Sequence, residues 1–172
     1  GLDKKTAIEG ALLHDIGKTN PIFQKYLQTN NSTTIFRHEI ASLFFISLVS
    51  EDKREMIIDM IAGHHKSVYK DARELGLLEL DDNTNGFAEH SKDFDKWCPI
   101  ALDILEALGM KTHPISIEEA RANYEFAVRY CDANKSDCSI WRGMLMASDH
   151  VASAMESKVK IPLNHLFVKP DL

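Results

Sequence analysis

Cysteine is scarce in this sequence: Cys98, Cys131 and Cys138 are its only three, an odd number with no C-x-x-C pair. That argues against a disulfide framework and against a zinc ribbon, and leaves reduced, partly buried thiols as the expectation. Long apolar runs are also missing, and the N-terminus lacks the basic, apolar and small-residue succession of a secretory leader. A cytoplasmic protein without a membrane partner is therefore expected. Excess positive charge is absent too, since 20 Lys and Arg stand against 26 Asp and Glu for a formal net charge of -6. This speaks against coating nucleic acid through a broad basic surface, because such binding depends on cations neutralising phosphates. It does not speak against phosphodiester chemistry, for which bound divalent ions would supply positive charge locally. Alternating β-branched runs, internal repeats and low-complexity tracts are lacking as well.

What is present is helical periodicity. With 44% hydrophobic residues over 172 positions, one domain can bury its core without covalent staples. Ile8, Ala11, Leu12 and Ile16 predict a helix from about Lys5 to Ile16, stopped by Gly17 and Pro21, with His14 and Asp15 in its last turn. A second helix is expected from Phe36–His38 through Ile40, Leu43, Phe44 and Leu48, with Glu39 in its first turn. A third should span Lys53 to His64 on Met56, Ile57, Met60 and Ile61. Between Lys66 and Lys96 the signal weakens into an exposed excursion rich in turn formers. Further helices follow at Trp97–Leu108, closed by Gly109; after the capping box Ser116-Ile117-Glu118-Glu119, burying Ala120, Tyr124, Ala127 and Val128; and at Ser139–Glu156. The expected architecture is a single all-α domain of six or seven helices.

The polar residues on these helices are unevenly placed. Four of the eight histidines, His14, His38, His64 and His65, fall within the first 65 residues. Asp149 shares a stripe with Leu145 and Ala152, and a carboxylate buried there needs a partner. His64 continues the apolar face of the third helix, and Gly63 before it lets the backbone turn both His64 and His65 inward. His14 and Asp15 are adjacent, so on a regular helix they diverge by about 100°; at a helix end they can frame one site. One inward histidine is ordinarily a hydrogen-bonded core residue. Four histidines and two aspartates at helix ends or inward faces point instead to a transition-metal hydrolase, whose ligands are imidazole and carboxylate. His90, His113, His150 and His165 are expected to take no part, Trp97 and Trp141 to be core, and Arg37, Lys66 and Arg142 either to line a strand-binding groove or to be solvated.

The order of these residues carries a resemblance. His14-Asp15-Ile16-Gly17-Lys18, then Pro21-Ile22-Phe23-Gln24, Arg37-His38-Glu39, Gly63-His64-His65 and Ser148-Asp149-His150-Val151-Ala152-Ser153 form a series covering residues 11 to 153. It resembles the HD nuclease domain of the CRISPR-associated Cas3 proteins, within the HD phosphohydrolase superfamily. The resemblance implies an HD-type helical domain binding one or two divalent transition-metal ions, with Mn, Ni, Co, Fe or Zn suited to the ligand set and Mg less so. Asp15 would bridge the ions, His14 and Asp149 would hold the first, and His38, His64 and His65 the second. Lys18 would face the substrate phosphate and, with Asp15, serve catalysis.

It further implies a nuclease acting on single-stranded DNA in CRISPR interference, partnered by a helicase in cis or in trans and by the CRISPR effector complex (Cascade). The family carries another metal-binding histidine upstream of the His-Asp pair, whereas 13 residues precede His14 here, so the first ion would be one ligand short. Residues 166–172 resemble the stretch leading toward the helicase, and a domain belonging to a longer chain is expected. The competing readings are an HD phosphohydrolase of small nucleotides and a catalytically degenerate HD module.

Overall fold

A computed structural model describes residues 1–29, 36–64, 86–134 and 139–156. They form eight α-helices and three 3-10 segments, with no strand among the described residues. The fold is all-α, as the periodicity predicts. The helices are α1 (Lys4–Leu13), α2 (Pro21–Thr29), α3 (His38–Ser42), α4 (Arg54–Gly63), α5 (Gly86–His90), α6 (Phe94–Ala107), α7 (Ile117–Ala133) and α8 (Ile140–Glu156). The 3-10 segments are Ile16–Thr19, Leu43–Leu48 and Glu51–Lys53. No helix among the described residues is long and apolar enough to cross a membrane.

Local chemistry accounts for the helix boundaries. Asp3 caps α1, its Oδ2 accepting from the Thr6 amide at 3.0 Å and from the Thr6 hydroxyl at 2.6 Å. Ser116 caps α7 by accepting from the Glu119 amide at 3.1 Å, the N-cap half of the expected capping box, while the Glu119 carboxylate lies 3.0 Å from His113 Nε2. Gly109 follows α6 with φ of 87°, the left-handed conformation that glycine takes without a Cβ penalty.

Four expectations need correction. Pro21 does not merely stop a helix; it opens α2 at the first helical position, where its missing N–H costs nothing. The second expected helix changes winding at Leu43, and Leu43, Phe44, Phe45 and Ile46 are all buried, so this segment is wrapped on every side. The excursion after Lys66 is not exposed throughout: residues 65–85 lie outside the described residues, but Gly86–His90 is helical with Phe87 and His90 buried. In α6 the buried face is Phe94, Trp97, Cys98, Ala101 and Leu105, whereas Ile100, Ile104 and Leu108 are exposed; the predicted stripe straddled two faces.

The core is built around rings. Phe44 lies 5.0 Å from Phe87, 5.9 Å from Phe94 and 6.2 Å from Tyr124, centroid to centroid, and Trp97 is fully buried beside them. Around this centre α4 packs against α1, α7 and α8, while the 3-10 segment after α1 packs against α3 and α6. The C-terminal end of α1, the start of α3, the C-terminal end of α4 and the middle of α8 therefore meet.

Candidate metal centre

At that meeting point the backbones are locked before any side chain is considered. Gly17 is buried, and a Cβ on it would collide with the His38 carbonyl oxygen and stand 2.8 Å from the Ser42 amide nitrogen. Only glycine lets the 3-10 segment after Asp15 lie directly on α3. Ser42 seals the contact, its hydroxyl accepting from the Gly17 amide at 2.9 Å and donating to the His14 carbonyl at 2.9 Å. Sequence reasoning passed over Ser42; the available signal was a small polar residue four positions after His38, flanked by apolar ones.

His14 ends α1 as its C-cap, and Asp15 then leaves helical geometry with φ -109° and ψ 1°. The pair thus stands just past the last turn, not within it. This departure turns the Asp15 carboxylate to face three imidazoles. Its Oδ1 is 3.0 Å from His38 Nε2 and 3.8 Å from His64 Nε2, and its Oδ2 is 3.3 Å from His14 Nε2. Lys18, one turn on, brings its ammonium to 2.6 Å from Oδ2.

The tautomers decide what these approaches mean. His14 Nδ1 lies 2.7 Å from the Ala11 carbonyl, and His64 Nδ1 lies 2.7 Å from the Ile61 carbonyl. A carbonyl only accepts, so each Nδ1 carries the hydrogen, and a neutral ring then presents a lone pair at Nε2. Lone pairs facing a carboxylate repel unless a proton or a metal cation lies between them. His14 Nε2 and Asp15 Oδ1 are both buried and make no well-aligned hydrogen bond, their nearest polar neighbours being the Asp15 carboxylate and the His38 ring of the same cluster. Imidazoles that donate Nδ1–H to backbone carbonyls and aim Nε2 inward are oriented as metal ligands are.

The spacing fits as well. Ligand atoms sharing one ion at about 2.1 Å stand roughly 3.0–3.5 Å apart, close to the distances around Asp15. Among the described residues, His14, Asp15 and His64 form a group whose ligand atoms all lie within 4.8 Å of one another. Within the cluster His14 faces one Asp15 oxygen while His38 and His64 face the other. His38 joins the cluster at Oδ1, the carboxylate oxygen that His64 also faces, and Phe23 packs against its ring at 5.3 Å and 65°. The donor set of imidazoles and one carboxylate suits a divalent transition metal.

Electrostatics follow from the same neighbours. Burial alone would raise the Asp15 pKa, but His14, His38 and Lys18 outweigh it and hold the carboxyl far below its usual range. Burial would likewise lower the His14 pKa, yet the Asp15 carboxylate beside it prevails and raises it. Glu39, buried behind His38, is kept ionised against its burial by Arg37, whose Nε donates to it at 2.7 Å.

The remaining predicted residues sort unevenly. Asp149 Oδ1 stands 4.0 Å from His14 Nε2 with 42% of its side chain exposed, so it sits at the margin of the cluster and not on a buried stripe. His65 and Lys66 lie outside the described residues, as do Cys138 and His165. Arg142 neither lines a groove nor is solvated: it is buried, and its Nε donates to the Gly63 carbonyl at 2.7 Å. Gly63 stays helical, and a Cβ there would stand 2.5 Å from Arg142 Cδ. Its role is to admit Arg142 and not to bend the chain. Because Asp149 is two turns after Arg142 on α8, this bond also sets the register that brings Asp149 toward His14.

His90 is buried, not part of a polar excursion. Its Nε2 accepts from the Arg37 amide at 3.1 Å, its Nδ1 lies 2.6 Å from the Gly86 carbonyl, and burial lowers its pKa. It supports the strand of chain entering His38 from behind. Asn20 adds a second tie, donating to the His90 carbonyl at 3.0 Å while its Oδ1 accepts from the Ile22 amide at 2.9 Å to start α2.

Compared with known families, the chain matches the HD domain model over residues 1–119. The matched stretch holds His14, Asp15, His38 and His64, and Asp149 lies beyond it. No curated protein and no solved structure matches.

Proposed function

The chain belongs to the HD domain family, whose members are typically metal-dependent phosphohydrolases, and on that footing we propose that it hydrolyses phosphodiester bonds in single-stranded DNA. The observation that carries the reading is the set of imidazole Nε2 atoms, tautomer-fixed in His14 and His64, turned onto the one Asp15 carboxylate. His14, Asp15 and His64 would hold a divalent transition metal, with His38 facing the same Asp15 oxygen as His64 and Asp149 at the margin beside His14. Such an ion supplies Lewis acidity toward a phosphoryl oxygen and a lowered pKa for bound water.

The chain's own residues supply the rest. Asp15, held well below the usual carboxylate range by its neighbours, keeps its negative charge central among the rings. Lys18 partly offsets that charge, and its ammonium, with the side chain 38% exposed, can swing toward an approaching phosphate. Gln24 steadies this segment by donating to the Lys18 carbonyl at 2.7 Å. The side chains of Asp15, Lys18 and Asp149 all remain partly exposed, so the face is open to an extended substrate. The ordered motif series agrees with a Cas3-type nuclease that works with a helicase in cis or in trans and with a CRISPR effector complex.

The experiment sets circular single-stranded DNA against a panel of free nucleotides, with Mn²⁺ and with EDTA. Mn²⁺-dependent cleavage of the circle is the expected result. Hydrolysis of nucleotides alone would move the assignment to a small-molecule phosphohydrolase, and inertness toward both would mark a degenerate module.

A further inference from the structure

A strand held at Asp15 must leave across some surface, and α2 has the features of one. From the buried His38 ring, Phe23 stands 5.3 Å away and Tyr26 a further 6.3 Å beyond Phe23. Burial falls along this row: His38 is buried, Phe23 partly buried, and Tyr26 is 42% exposed with Leu27 beside it at 57%. Ile22, Phe23, Tyr26 and Leu27 share one face of the helix by their spacing, and its outer half is left to solvent. The charge pattern is equally local. Between Asp15 and Glu39 the chain has no acidic residue and carries Lys18, Lys25 and Arg37, the last paired with Glu39, in a protein whose net charge is -6.

We propose that α2 is a stacking platform for single-stranded nucleic acid leaving the metal centre, with Phe23 and Tyr26 receiving bases and Lys18 and Lys25 receiving phosphates. This rests on the phosphodiesterase reading and specifies its substrate surface. Rings graded outward beside cations suit unpaired bases, because every base offers a π-face and a duplex hides it. A mononucleotide with its phosphate at Asp15 cannot span a row reaching two rings beyond the cluster; a strand can. The local excess of positive charge makes this stretch complementary to a polyanion.

The test separates binding from cleavage. Fluorescence anisotropy of a labelled oligo(dT) is measured in EDTA for the wild-type chain, Tyr26→Ala and Tyr26→Trp, with circular dichroism confirming equal helicity. Tyr26→Ala should raise Kd by roughly 5- to 100-fold, as loss of a base–aromatic stack does, and Tyr26→Trp should restore it. An unchanged Kd in Tyr26→Ala, failure of Trp to restore binding, or no binding by the wild-type chain would each overturn the platform. The phosphodiesterase reading fails separately: tight, Tyr26-dependent binding without Mn²⁺-dependent cleavage removes the nuclease and keeps the platform. Cleavage indifferent to Tyr26→Ala removes the platform and keeps the nuclease.

Discussion

Replacing Gly17 with alanine tests how the fold holds its metal ligands together. The added methyl would collide with the His38 carbonyl oxygen, stand 2.8 Å from the Ser42 nitrogen and 2.9 Å from Ala41 Cβ. Two of these three atoms are backbone, so no side-chain rotation relieves the overlap, and the 3-10 segment must lift off α3 by roughly 1 Å to reach ordinary contact. Overpacking of this kind costs about 1–3 kcal/mol. Stretching the Gly17–Ser42 hydrogen bond adds about 1 kcal/mol. At roughly 2–4 °C per kcal/mol for a chain of this size, the melting temperature should fall by about 5–15 °C. The same lift carries Asp15 away from His38 Nε2, now 3.0 Å distant, and so weakens the shared site. Thermal melting followed by circular dichroism reads the first effect, and metal content after dialysis against Mn²⁺ reads the second. A variant that melts within about 2 °C of the wild type and retains full metal content would refute the reasoning.

Two further outcomes are expected. Ser42→Ala leaves the buried Gly17 amide without its acceptor and the His14 carbonyl without its donor, which should cost about 1–3 kcal/mol in urea unfolding; a loss below about 0.5 kcal/mol would mean that water replaces the hydroxyl. Cys98, whose thiol burial pushes up to about 11, should react with iodoacetamide at pH 8 more than about 100-fold slower than a free thiol. Mass spectrometry of the native protein showing prompt labelling at Cys98 would contradict its burial.

Much of this molecule is legible in its sequence because the informative signals are local. Helical periodicity, the Ser116 capping box and Gly109 each depend on residues within one or two turns, and each element they predict is present. That His14, Asp15, His38 and His64 would meet is legible for a different reason, since burying such groups is costly unless they share partners, whereas Asp149 is left exposed at the margin. What the sequence hides is tertiary. Nothing near Arg142 reveals that it reaches the Gly63 carbonyl, seventy-nine positions away. Gly63 reads as a flexible joint and Gly17 as a helix stop, and both prove to be places where another segment comes too close for a Cβ. In α6 the hydrophobic count is right but the face is not, because Phe94 and Trp97 join the aromatic core around Phe44 and draw the helix round, leaving Ile100 and Ile104 outside. His90 is buried through bonds to Arg37 and Asn20, partners far away in sequence.

The central claim is that His14, Asp15, His38 and His64 form a metal site. The most direct test is an anomalous difference map at the manganese edge from crystals soaked in Mn²⁺. The account predicts a peak about 2.0–2.2 Å from an Asp15 carboxylate oxygen and from Nε2 of His14 and His64. A strong peak elsewhere, or no peak in a crystal where these side chains are ordered, would contradict it.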